Sequence, residues 1–173
     1  MTGLISRNII RFFVLVLLQI LIFKRLNLGW GQFNYIQIII YPLFLFLLPI
    51  NISKVWILVL GFVLGLTIDA FYDSPGLHAS ASVFTAFIRP FILSQLEPRG
   101  GYKINAVPSK KDFGLNWFSR YVSLMLIFHL LFYFATEAFT LSLGMQVLLK
   151  TIFGFIASMF MISLYVIIFN PKE

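Results

Sequence analysis

Apolar positions dominate this chain in long runs, separated by short polar stretches and by stretches rich in proline and glycine. A helix needs roughly 17–25 mostly apolar residues to cross a bilayer. Runs suited to this extend over 8–23, 55–72, 78–96, 120–139 and 147–169, and each predicts a transmembrane helix. A further run, Tyr35 to Leu48, is shorter and carries Pro42. It reads as a sixth span, since bilayer thinning or neighbouring helices absorb mismatch at fractions of a kcal/mol per Å. A re-entrant hairpin is the alternative. The expected fold is an all-α membrane protein, a six-transmembrane-helix bundle that forms one domain over residues 1–173.

Composition strengthens this picture. Hydrophobic residues make up 60% of the chain and charged residues 11%, with a mean hydropathy of +0.95, whereas soluble domains carry about 25% charged residues. The net charge of +7 would suit nucleic acid. However, the basic residues sit at predicted helix ends and in one loop, so topology accounts for them and no nucleic-acid partner is expected. With the N-terminus inside, the cytoplasmic segments hold Arg7, Arg11, Lys54, Arg99, Lys103, Lys110, Lys111, Arg120 and Lys172, against Lys24 and Arg25 outside. The positive-inside bias therefore predicts a multi-pass protein with both termini cytoplasmic.

Trp30, Trp56 and Trp117 fall near predicted span ends, as in an interfacial aromatic belt. The one substantial loop, Glu97 to Ser119, reads as a flexible basic segment near anionic headgroups. The N-terminus resembles a secretory signal, but Lys24 and Arg25 stand where small cleavage-site residues belong, so a retained first helix is expected. The absence of cysteine excludes disulfides, Cys-ligated zinc and thiol catalysis.

Lipid tails give helices no hydrophobic reason to associate, so small residues and polar groups reveal the inner faces. Gly61, Gly65 and Asp69 recur at every fourth position of the third span, giving a groove for a neighbouring helix. His78, Ser82, Thr85 and Arg89 share one face of the fourth, where Pro90 predicts a kink. His129, Tyr133, Thr136, Glu137 and Thr140 stripe the fifth; Lys150, Thr151, Gly154, Ala157 and Ser158 stripe the sixth. Spans three to six are thus expected to build the polar interior. The first two, with little polar content beyond Arg11, Gln19 and Gln37, are left for lipid or a partner helix.

By depth, Asp69 is expected near His78 and Glu137 near Lys150, with Arg89 snorkelling toward headgroups. A metalloprotease helix, a nucleophile elbow, a phosphate-binding glycine loop and a carboxylate cluster are all missing, so no enzyme activity, cofactor or metal is expected. An ion or proton pathway through Asp69, His78, His129, Glu137 and Lys150 is a further reading on chemistry alone.

The stretch from Gly61 to Ala79, GFVLGLTIDAFYDSPGLHA, resembles the signature of the rod shape-determining protein MreD family. That family shows a glycine-spaced helix ending in aspartate, a Pro/Gly turn and a Leu-His dipeptide; here Asp69, Pro75, Gly76, Leu77 and His78 match. The resemblance implies a non-enzymatic subunit of the bacterial elongation machinery. Such a subunit binds the bitopic protein MreC and helps couple MreB filaments to peptidoglycan synthesis. The family is also similar in fold to the S components of energy-coupling-factor transporters, so a vitamin-binding S component open to the outside is the alternative. Those components often pattern alanines in their first helix, and 8–23 holds none.

Overall fold

The computed structural model describes residues 2–26, 28–30, 33–103, 106–140 and 143–169, with side chains except those of 2–5, 28–30 and 33–35. The fold is predominantly helical. Its elements are α1 (Thr2–Leu21), a 3-10 turn (Phe23–Arg25), the antiparallel pair β1 (Leu28–Trp30) and β2 (Phe33–Ile36), and α2 (Leu43–Phe46). There follow α3 (Lys54–Tyr72), α4 (Leu77–Gln95), α5 (Lys110–Phe113), α6 (Leu115–Ala138) and α7 (Gly144–Ile168). Five helical stretches are long and apolar enough to cross a membrane: Ser6–Arg25, Lys54–Tyr72, Leu77–Gln95, Leu115–Ala138 and Gly144–Ile168. This is the build of a multi-pass membrane protein.

Side-chain bonds fix how these helices run. Gln19, near the end of α1, donates to Tyr72 Oη at the end of α3 (2.8 Å), so the two helices are parallel. α4 returns antiparallel to α3 after a turn in which Asp73 (φ 53°) and Gly76 (φ 86°) adopt left-handed conformations. Trp117 Nε1 donates to Leu96 O (2.6 Å), which sets the start of α6 beneath the end of α4. Glu137 and Lys150 pair at 2.7 Å across the α6–α7 turn. The starts of α1, α3 and α6 and the ends of α4 and α7 therefore share one end of the bundle, the end that also holds most basic residues.

The predicted span Tyr35–Leu48 is not a transmembrane helix. Residues 37–40 belong to no helix or strand, and Pro42 opens the single turn of α2. Ile38 to Leu48 are all buried, so this stretch occupies the core and faces neither lipid nor a partner. Chain reach explains it. Fourteen residues of helix would rise only about 21 Å, short of the hydrocarbon thickness of about 30 Å. Irregular backbone at membrane depth is tolerated only inside protein.

α1, by contrast, exposes Ile9, Ile10, Phe13, Leu17 and Leu21, as expected of a lipid-facing helix. α4 runs unbroken through Pro90. The basic loop is packed onto the bundle and is not a free segment: Ala106 to Ser109 are buried, and Ile50 N donates to Ala106 O (2.9 Å). Tyr102 Oη donates to Leu93 O (2.7 Å), and burial, reinforced by Glu97, pushes its phenol up to about 12, so it remains a donor at neutral pH. Trp56 is exposed, Trp117 half-buried, and the side chain of Trp30 lies outside those described.

Candidate functional site: the polar interior

The stretch resembling a family signature forms the α3–α4 hairpin, and Asp69 is its organising residue. The first amides of any helix lack intrahelical partners and carry partial positive charge. Asp69, buried at the end of α3, takes over those of α4. Its Oδ1 accepts from His78 N (2.9 Å) and Ser74 Oγ (3.2 Å), and its Oδ2 accepts from Gly76 N and Ala79 N (both 3.0 Å). Asp69 thus meets His78 through the main chain and not through the ring. Leu77 opens α4 and is half-buried, and Pro75 is exposed in the turn. The two glycines let the helices close: a Cβ on Gly65 would lie 2.3 Å from Ala79 Cα, and one on Gly61 would lie 3.0 Å from Ser82 O.

Below the hairpin, His78 and His129 share Tyr41, whose Oη lies 3.1 Å from His78 Nδ1 and 3.0 Å from His129 Nε2. The two histidines, on separate helices, therefore share one orienting partner. Protons can be assigned from the network. Thr85 donates its single proton to Ala81 O (2.7 Å), so at the 2.7 Å contact His129 Nδ1 donates to Thr85. Nε2 of the neutral ring then accepts from Tyr41, which accepts in turn from His78 Nδ1. His78 Nε2 is a buried side-chain atom with no hydrogen-bond partner among the described residues.

Nearer the basic end stands Arg89, 1% exposed and among the largest fully buried side chains. It does not snorkel. It points inward because the bent chain after α2 leaves carbonyls there: Arg89 Nη2 donates to Leu48 O and, at 3.3 Å, to Pro49 O. Arg89 Nε donates to Tyr121 Oη (3.0 Å), which itself donates to Phe46 O (3.0 Å). A buried cation in a membrane interior is tolerated when it meets backbone carbonyls in this way.

The same function unites polar residues from the other helices. Gln19 brackets the irregular segment, donating to Ile38 O (3.0 Å) and accepting from Ile40 N (2.9 Å). Ile39 N donates to Ser158 Oγ of α7 (2.8 Å), and Arg11 Nη1 donates to Leu47 O (3.3 Å). The polar interior thus serves largely to hydrogen-bond the chain's own buried, non-helical segment. Glu137 and Lys150 stay apart from it at the opposite end of the bundle. Among the described residues, no group of three or more His, Asp or Glu is arranged to hold a metal.

Tyr41 and Tyr121, central to these networks, were not singled out in the sequence. The available signal is a tyrosine inside an apolar run, because a buried phenol needs a hydrogen-bond partner. Arg89→Leu is expected to cost at least about 2 kcal/mol, since the carbonyls of Leu48 and Pro49 lose a donor at about 1–3 kcal/mol each. Titrating folded protein in mixed micelles with SDS measures this, and a wild-type midpoint would show that Arg89 does not hold the segment.

Comparison with known proteins finds no matching family model, no similar characterised protein and no similar solved structure.

Proposed function

We propose that this chain is a non-enzymatic membrane scaffold of the MreD kind. On this reading it is a subunit of the bacterial elongation machinery that binds an MreC-like bitopic protein and helps couple MreB filaments to peptidoglycan synthesis. It lies in the inner membrane with both termini cytoplasmic, crossing six times, five times as helix and once as the threaded segment 37–49. The observation that carries this reading is the filled interior. Where an S component would need an open ligand pocket, Ile38 to Leu48 are packed and their backbone is bonded to Gln19, Ser158, Tyr121 and Arg89. A chain so built offers partners its outer helix faces.

Further support comes from the resembling stretch itself, whose Gly61, Gly65, Asp69 and Gly76 lock two helices at a turn, an arrangement that needs no substrate. Orientation follows from the basic residues gathered at one end. The proton pathway gains little from the histidines, because their bonded chain ends on the carbonyl of Ala81.

Affinity purification from a bacterial membrane tests the scaffold. Recovery of an MreC-like bitopic protein in a fixed ratio is the expected result. A vitamin bound at nanomolar affinity, with no such protein recovered, would overturn the reading in favour of the S component.

A further inference from the structure

We propose that Tyr41, held between His78 and His129, is an acid-sensitive latch on the threaded segment, closed at about pH 7.5 and opening as the pH falls to about 5.5. All three side chains are at most 0% exposed. They come from three parts of the fold: Tyr41 from the segment, His78 from α4 and His129 from α6. With the bonds described above, each ring is neutral and carries its proton on Nδ1.

A free imidazole takes a second proton near pH 6.5, but the closed interior has no place for it. Added to His78, it must sit on Nε2, which has no hydrogen-bond partner among the described residues. Added to His129 Nε2, it meets the O–H of Tyr41. The chain can then only reverse: Tyr41 donates to His78 Nδ1, and the proton of that nitrogen moves to His78 Nε2. Both routes end with an N–H on the same unpartnered atom and leave a positive charge in a buried site, which is costly.

The groups around His78 do not relieve this. Asp69 of α3 attracts a protonated ring, but its oxygens are bonded to three main-chain amides and Ser74. Tyr72 of α3 and Tyr133 of α6 flank the ring, with centres 4.9 and 4.8 Å away, and their hydroxyls are bonded to Gln19 of α1 and to Gln37. Lys24, 5.5 Å from the centre of the Tyr72 ring, repels a further cation. Glu137, one turn beyond Tyr133, is paired with Lys150 of α7, and the other α7 group near the segment, Ser158, is uncharged.

Protons are therefore taken up when the segment leaves its place and both rings meet water. Pro75 and Gly76, in the turn just before His78, are exposed, so water at that end of the bundle supplies them. Histidine is the side chain whose ordinary value lies in this pH range, and the chain has two. The inference does not rest on the scaffold reading.

Hydrogen exchange of the purified protein in mild detergent, at about pH 7.5 and about pH 5.5 and corrected for the intrinsic pH dependence of exchange, tests it. The opening equilibrium read at the amides of Ile39 and Ile40 should rise about tenfold for each histidine, about a hundredfold together. Amides in the middle of α3 and α7 should change much less. His129→Asn, which keeps a donor toward Thr85, should leave a response of about tenfold, and the double variant with His78→Asn should leave none. If the variants do not fold, the wild type alone decides. A flat response at Ile39 and Ile40 overturns the proposal, as does an equal rise at the α3 and α7 amides. A double variant that folds and still responds like the wild type overturns it too.

Discussion

Alanine at position 65 is expected to remove most of the folded protein recoverable in mild detergent, although it adds only one methyl group. The added Cβ would lie 2.3 Å from Ala79 Cα and 2.5 Å from both Ala79 N and His78 O, all main-chain atoms of the facing helix. Overpacking relieved by side-chain movement costs about 1–3 kcal/mol. Here α3 and α4 must part, so the cost should exceed that range, on the order of 4 kcal/mol. Parting them also strains the bonds from His78 N and Ala79 N to Asp69, which lie on the same seam. Gly61→Ala is the control. Its nearest contacts are 3.0 Å to Ser82 O and 3.3 Å to Ala86 Cβ, so it should cost about 1 kcal/mol. Unfolding midpoints in SDS that are equal for the Gly65 and Gly61 variants would contradict this ranking.

Asp69→Ala should be nearly as damaging. It strips acceptors from the amides of Gly76, His78 and Ala79, and a buried donor left unpaired costs about 1–3 kcal/mol. The expected loss is at least about 3 kcal/mol, together with faster hydrogen exchange over residues 76–79. Asp69→Asn keeps one acceptor oxygen but turns an NH₂ group toward amide donors, so it should fall between alanine and wild type. If Asp69→Ala exchanged those amides at the wild-type rate, the carboxylate would not be what caps α4.

Both predictions concern residues whose spacing was visible in the sequence, yet their roles were not equally legible. The four-residue repeat of Gly61, Gly65 and Asp69 announced a groove, because small residues on one helix face have that consequence in lipid. That the helix filling it is α4, and that Asp69 reaches over the turn to the start of that helix, depends on the left-handed residues Asp73 and Gly76 folding the chain back. Arg89 shows the limit more sharply. Depth along a helix suggested an escape to the headgroups, but the alternative partners, the carbonyls of Leu48 and Pro49, are about forty positions away in the sequence.

The sequence by itself determined which stretches become membrane helices, because bilayer thickness sets a length and an apolarity that Ser6–Arg25, Lys54–Tyr72, Leu77–Gln95, Leu115–Ala138 and Gly144–Ile168 satisfy within their own residues. Only the tertiary structure decided the path of Tyr35 to Leu48. An apolar run of that length is compatible with helix, hairpin or extended chain. What makes this irregular path stable is the set of partners for its backbone, and Gln19, Arg89, Tyr121 and Ser158 supply them from four different helices. Residues that looked like scattered polar intrusions into lipid are the hydrogen-bonding environment of one buried strand of chain, a relation that exists only once the helices have assembled around it.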